Sequence, residues 1–114
     1  MITLWHNQRC SKSRAALALV EATGKPFVLR RYLEDAPAVG ELRAVLTALG
    51  HAPALSLVRT GEPVFRDLGL SKQSSEDELI EAMSAHPILI ERPVLIVGAH
   101  ARIGRPTEAL HDLL

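Results

Sequence analysis

Apolar and polar positions alternate weakly over Ile2–Trp5, which predicts a short strand ending at His6. From Ser11 to Thr23 the spacing changes. Ala16, Leu17 and Val20 fall on one helical face, and Gly24 followed by Pro26 stops the helix. Phe27–Leu33 is rich in β-forming residues and predicts a second strand, with Arg30 and Arg31 near its exposed end. Strand, helix and strand in so short a span make a βαβ unit, so the two strands run parallel through a right-handed crossover.

The pattern then turns helical. Val39, Leu42, Val45, Leu46 and Leu49 recur at helical spacing over Ala38–Leu49, and Gly50 ends the run. Leu55–Leu70 contains Arg59, Gly61, Pro63 and Gly69 and predicts short helical turns and loops. Ser75-Glu76-Asp77-Glu78 fits a capping box that opens a helix through about Ala85. Pro87 starts a further turn. The apolar runs at 94–97 and 101–103 flank Gly98-Ala99-His100 and predict a hairpin. Pro106 is placed in the first turn of a terminal helix, Thr107–Leu114. The fold class that follows is α/β: a thioredoxin-like, four-stranded mixed sheet, βαβ then ββα, with a helical insertion over about 38–86. An insert of that length is too long for a loop and is expected to form a lobe against the sheet edge.

Composition narrows the function. The chain has 114 residues, read as one domain over 1–114, with 47% apolar and 23% charged residues. Thirteen basic and thirteen acidic side chains cancel, so no global field draws nucleic acid or anionic lipid. A single cysteine forms no internal disulfide, and no apolar stretch reaches the ~18 residues of a membrane span. The expected setting is cytoplasmic, with no membrane and no nucleic-acid partner, and the chain is expected to act as a monomer. Ten of the thirteen basic residues are arginine, so their positions matter.

The one cysteine lies in HNQRCSKSR, residues 6–14, at a strand-to-helix junction. Unpaired backbone N–H groups and the positive end of the helix dipole both favour a thiolate there. His6, Arg9, Lys12 and Arg14 add positive charge, and Ser11 and Ser13 supply hydrogen-bond donors. A tyrosine-phosphatase loop would need arginine where Ala16 stands, and a dithiol redox motif would need cysteine where Ser13 stands. Any redox turnover therefore draws on thiols of other molecules. The five histidines show no zinc-ligand spacing with Cys10, so no metal and no bound cofactor are expected.

Arg92-Pro93 and Arg105-Pro106 hold two arginines extended at junctions, one before a strand and one before a helix. Arg59 precedes Thr60-Gly61-Glu62-Pro63 in the irregular part of the insert. Arginine binds oxyanions through a planar fork and stays charged, so the three could surround one dianion beside Cys10. The alternative is that they pair on the surface with Glu62, Glu91 and Glu108.

With these residues in view, the chain resembles the glutaredoxin-coupled arsenate reductases. HNQRCSKSR is similar to the family's active-site segment, with Gln8 where the family carries proline. LVRTGEP, HPILIERPVLIV and IGRPTE resemble its three arginine-bearing segments, in order, over nearly the whole chain. The resemblance implies reduction of arsenate to arsenite, with Cys10 as nucleophile, through a Cys10 arseno-thiol adduct. It implies that Arg59, Arg92 and Arg105 hold the oxyanion, that His6 tunes the sulfur and that Ser13 hydrogen-bonds the thiolate. Ser11 joins the substrate-binding set as a hydroxyl donor. Pro93 corresponds to the cis proline of thioredoxin-like folds. Glutathione enters as co-substrate and glutaredoxin as partner. Two other readings stand beside this one. The first is a thiol-dependent oxidoreductase of the same fold acting on another oxyanion or on glutathione mixed disulfides. The second is a non-catalytic polymerase-binding regulator, against which Ser13 speaks because such regulators carry a dithiol switch.

Overall fold

β1 (Ile2–Trp5) pairs in parallel with β2 (Val28–Arg30) through the connecting helix α1 (Ser11–Ala22). These and the elements that follow come from a computed structural model that describes residues 1–114. On its other side β1 pairs antiparallel with β3 (Val94–Val97), which forms a hairpin with β4 (His100–Ile103) across Gly98-Ala99. The four-stranded sheet therefore runs β2-β1-β3-β4, with β1 and β3 central. Gly98 takes φ +59, a left-handed conformation that a side chain would strain, and so permits the tight turn.

Alternation along the strands divides the apolar residues between two faces. Leu4 lies opposite Leu95, and both point toward Ala16 and Val20 of α1 and toward Leu110. Trp5 lies opposite Val94 on the other face, which is covered by the segment between β2 and β3. That segment holds α2 (Val39–Ala48), a 3-10 turn at Ala54–Leu57, α3 (Pro63–Asp67), α4 (Glu76–Ala85) and a 3-10 turn at Pro87–Leu89. Leu42, Val45 and Leu46 of α2 and Leu79, Ile80 and Met83 of α4 complete the larger core there. The Glu76 carboxylate accepts the Ala54 N–H at 2.8 Å, and the Ser84 hydroxyl donates to the Pro37 carbonyl at 2.7 Å, locking α4 to its neighbours.

The helices over 11–22 and 39–48 match the sequence pattern, and Ser75 caps α4 as the capping box predicts, accepting the Glu78 N–H at 3.1 Å. Four expectations need correction. The second strand covers only Val28–Arg30, because the Arg31 carbonyl turns to accept the Glu34 and Asp35 N–H groups, both at 3.0 Å. The fourth strand starts one residue earlier than predicted, at His100, which pairs with Val97. The terminal segment is a 3-10 helix, Thr107–Leu113, with Pro106 as its N-cap rather than in its first turn. The Ala109 N–H bonds the Pro106 carbonyl, a tight turn that drives Leu110 into the α1-face core. Lastly, the insert does not sit against the sheet edge. It lies over a face, because Trp5 and Val94 project there and would otherwise leave a large apolar surface in water.

Candidate active site

Three chain junctions meet at one end of the sheet. β1 ends at Trp5 and runs into the loop 6–10. Its neighbour β3 begins just after Arg92-Pro93, and β4 ends just before Arg105. Because Trp5 pairs with Val94 and Val94 with Ile103, these three junctions are side by side. The insert adds a fourth strand-like contact. Val58 and Ile90 form an isolated antiparallel bridge, the Arg59 N–H donates to the Leu89 carbonyl at 2.7 Å, and the Glu91 N–H donates to the Leu57 carbonyl at 2.6 Å. That bridge carries Arg59 to Arg92.

Cys10 is the N-cap of α1, nearly buried at 9% exposure, with extended backbone at φ −97 and ψ 123. Burial pushes its thiol up, but other influences outweigh this and hold it below the usual thiol value. They are, in order, the Ser13 backbone N–H, the Arg92 guanidinium, the Lys12 N–H and the Arg105 guanidinium. The helix N-terminus thus acts through particular amides. The Arg105 Nη2 lies 3.7 Å from the Cys10 Sγ.

Arg59, Arg92 and Arg105 line one cavity of about 460 Å³ together with Thr60, Glu62 and Glu91. The structure shows parts of both sequence readings of these arginines. They converge, and two of the glutamates pair with them. Glu62 Oε1 lies 2.7 Å from Arg59, and Glu91 Oε1 lies 3.1 Å from Arg105 Nε and 3.5 Å from Arg92 Nη1. Glu108 makes no ion pair with any of them. Arg105 is further aimed by its Nε donating to the Arg92 carbonyl at 2.8 Å, whereas the buried Arg92 Nε has no acceptor within the chain. The Arg92-Pro93 peptide is cis, as the resemblance implies for Pro93, and Arg105-Pro106 is cis as well.

Ser13 and His6 are bonded to each other beside the cysteine loop. The Ser13 hydroxyl accepts the Asn7 N–H at 2.9 Å and shares a 2.7 Å hydrogen bond with His6 Nδ1. For the thiol, what counts at Ser13 is the backbone N–H and not the hydroxyl. The hydroxyl is already committed to holding loop 6–10 closed. Burial, joined by Arg31 and Arg14 and opposed by the hydrogen bond at Ser13, holds His6 below its ordinary value, so its ring is neutral near pH 7. His6 faces a separate cavity of about 220 Å³ with Gln8, Arg9, Arg31 and Glu34, and it touches the cysteine loop through Ser13. Ser11 is exposed on the first turn of α1.

Tyr32 escaped the sequence reading because its run looked like strand. It is 1% exposed, and its phenol is pushed up to about 12, chiefly by burial, with Arg92, Arg59, Cys10 and Asn7 as its polar surroundings. No sequence signal distinguishes it from a core tyrosine. No group of three His, Cys, Asp or Glu side chains is arranged to hold a metal ion. No helix is long and apolar enough to cross a membrane. The largest cavity, about 630 Å³ between α2 and the sheet, is mainly apolar, and its only charged pair, Arg30 with Glu41, is already joined.

A nearly buried thiol held toward its anion, with a guanidinium at its sulfur and two more in the adjoining cavity, suits attack on a tetrahedral oxyanion. Known proteins resemble the chain over nearly its whole length. The family model described as the ArsC family matches residues 5–113. An arsenate reductase of Neisseria meningitidis is 38% identical over 114 residues, covering 99% of this chain and 97% of that protein. Another, of Haemophilus influenzae, is 38% identical with 99% and 98% covered. The solved structure of an arsenate reductase from Vibrio cholerae superposes with a TM-score of 0.94 at 39% identity, over 99% of this chain and 97% of that one.

Proposed function

Since the chain belongs to the ArsC family, we propose that it reduces arsenate to arsenite, with Cys10 as nucleophile and with glutathione and glutaredoxin as electron donors. The Cys10 thiolate attacks arsenic, and one arsenate oxygen leaves as water. This makes a sulfur–arsenic bond without changing the oxidation state. Glutathione displaces a second oxygen in the same way. A glutaredoxin thiolate then attacks the glutathione sulfur. The bonding pair stays with arsenic, which passes from As(V) to As(III), and glutathione leaves as a mixed disulfide with glutaredoxin. Hydrolysis of the remaining bond frees arsenite and the Cys10 thiolate. Both electrons come from external thiols, in keeping with a chain that has one cysteine.

Arg59, Arg92 and Arg105 hold the oxyanion and the charge that builds on it, with the exposed Ser11 beside the entering substrate. The N–H groups of Lys12 and Ser13 stabilise the thiolate, while His6 and the Ser13 hydroxyl keep the cysteine loop in place. One observation carries this reading: Arg105 approaches the Cys10 sulfur at 3.7 Å while lining the same cavity as Arg59 and Arg92. The named relatives favour arsenate over another oxyanion. The test is arsenite formation from arsenate with glutathione and glutaredoxin, for wild type and Cys10→Ser. Equal rates in the two proteins, or no arsenite from the wild type, would refute it. Rapid reduction of glutathione mixed disulfides in place of arsenate would favour the alternative oxidoreductase.

A further inference from the structure

Phosphate and arsenate are tetrahedral oxyanions of the same charge, so guanidinium contacts alone scarcely tell them apart. What separates them is that a thiolate can bond to arsenic and then be reduced away. A cavity with three uncompensated arginines beside Cys10 would hold either anion tightly, and phosphate would block it. The cavity is not uncompensated. Glu91 sits between Arg92 and Arg105, with Oε1 at 3.5 Å and 3.1 Å from their guanidiniums and at 3.1 Å from the Arg92 backbone N–H. The Glu91 backbone is fixed at the cavity wall by its N–H on the Leu57 carbonyl at 2.6 Å, and the carboxylate is held by the three contacts just given. Glu62 pairs in the same manner with Arg59 alone.

We propose that Glu91 is a specificity-determining residue, a built-in carboxylate competitor for the oxyanion cavity. It occupies the guanidiniums nearest the sulfur and keeps reversible oxyanion binding weak. An anion is then retained only if it bonds to Cys10, and phosphate cannot be. The inference rests on the reading of the arginine cavity as an oxyanion site. A carboxylate that merely aligned the arginines would have the opposite consequence, since removing its charge would loosen them and weaken anion binding.

Glu91→Gln separates the two, because the amide keeps the shape and one acceptor oxygen while losing the charge. Inorganic phosphate is titrated calorimetrically into wild type, Glu91→Gln and Glu91→Gln/Arg92→Ala at fixed ionic strength, with folding checked by circular dichroism. The expected result is phosphate binding at least about tenfold tighter in Glu91→Gln, abolished again by Arg92→Ala, with phosphate becoming a stronger inhibitor of arsenate reduction by the same factor. Phosphate binding unchanged, weaker or undetectable in Glu91→Gln would overturn the inference. Arsenate reduction by the same wild-type preparation then tells what else has failed. If it is intact, only the role of Glu91 falls; if it is absent, the oxyanion reading of the cavity falls as well.

Discussion

Replacing Arg105 with alanine removes a positive charge 3.7 Å from the Cys10 sulfur. The thiolate is the charged form of cysteine, so a nearby cation lowers the pKa and its loss must raise it. Two unit charges at that distance interact by about 4–5 kcal/mol at an effective dielectric of ~20 and by about 1 kcal/mol in bulk water. The Arg105 side chain is 35% exposed and shares its guanidinium with Glu91, which moves the value toward the lower limit. An interaction of about 1–2 kcal/mol remains, or roughly one pKa unit at about 1.4 kcal/mol each. The Cys10 inflection should therefore rise by about one unit in Arg105→Ala. Arg92→Ala should raise it at least as far, because Arg92 is only 16% exposed and outranks Arg105 among the charges acting on the thiol. Arg105→Lys should keep most of the pKa effect yet lose turnover, since the ammonium carries the charge without the planar fork. Alkylation rate against pH reads this directly, because Cys10 is the only cysteine. If both alanine variants leave the inflection within ~0.2 units of wild type, the arginines do not act on the thiolate as argued.

Other consequences can be measured with equal economy. Tyr32 is the only tyrosine, so its ultraviolet titration in the folded protein should centre near pH 12 and drop to about 10 in denaturant. Its folded pKa is raised, so its contribution to stability is fully present below pH ~10 and is lost as pH climbs toward 12, a decline of about 2–3 kcal/mol that Tyr32→Phe should lack in denaturant titrations. Ser13→Ala strands the Asn7 N–H and His6 Nδ1 and should cost about 1–3 kcal/mol in chemical denaturation, yet leave the Cys10 inflection nearly unmoved because the Ser13 amide remains. Gly104→Ala would set a Cβ 2.8 Å from Pro93 Cγ and 3.1 Å from Leu110 Cδ1, and should lower stability by about 1–3 kcal/mol with a loss of oxyanion affinity as Arg105 shifts. A melting temperature equal to wild type would count against that packing argument.

What the sequence by itself determined is local. The first helix shows in the spacing of Ala16, Leu17 and Val20 and in the stop at Gly24, which adopts φ +71. Ser75 announces the fourth helix because a cap is a contact between residues three apart. Cys10 is legible as a helix-start thiol because its helpers, the Lys12 and Ser13 amides, are its immediate successors. Hydrophobic periodicity also carried the order of strands and helices, and motif resemblance carried the arginines as candidates. Only the tertiary structure decided how these parts combine. Arg59 meets Arg92 through the Val58–Ile90 bridge, and Arg92 meets Arg105 through the pairing of Val94 with Ile103, both nonlocal registers. The Ser13 hydroxyl was free on paper to reach the sulfur, but His6 and Asn7 claim it in the folded loop. Glu91 and Tyr32 look in sequence like a surface acid and a strand aromatic, and their place at the site follows from the face that each junction presents. The insert covers a sheet face instead of an edge because Trp5 and Val94 point there, a demand visible only once β1 and β3 are paired. A short-range pattern fixes which groups a segment can offer, whereas packing and strand register settle which of them meet.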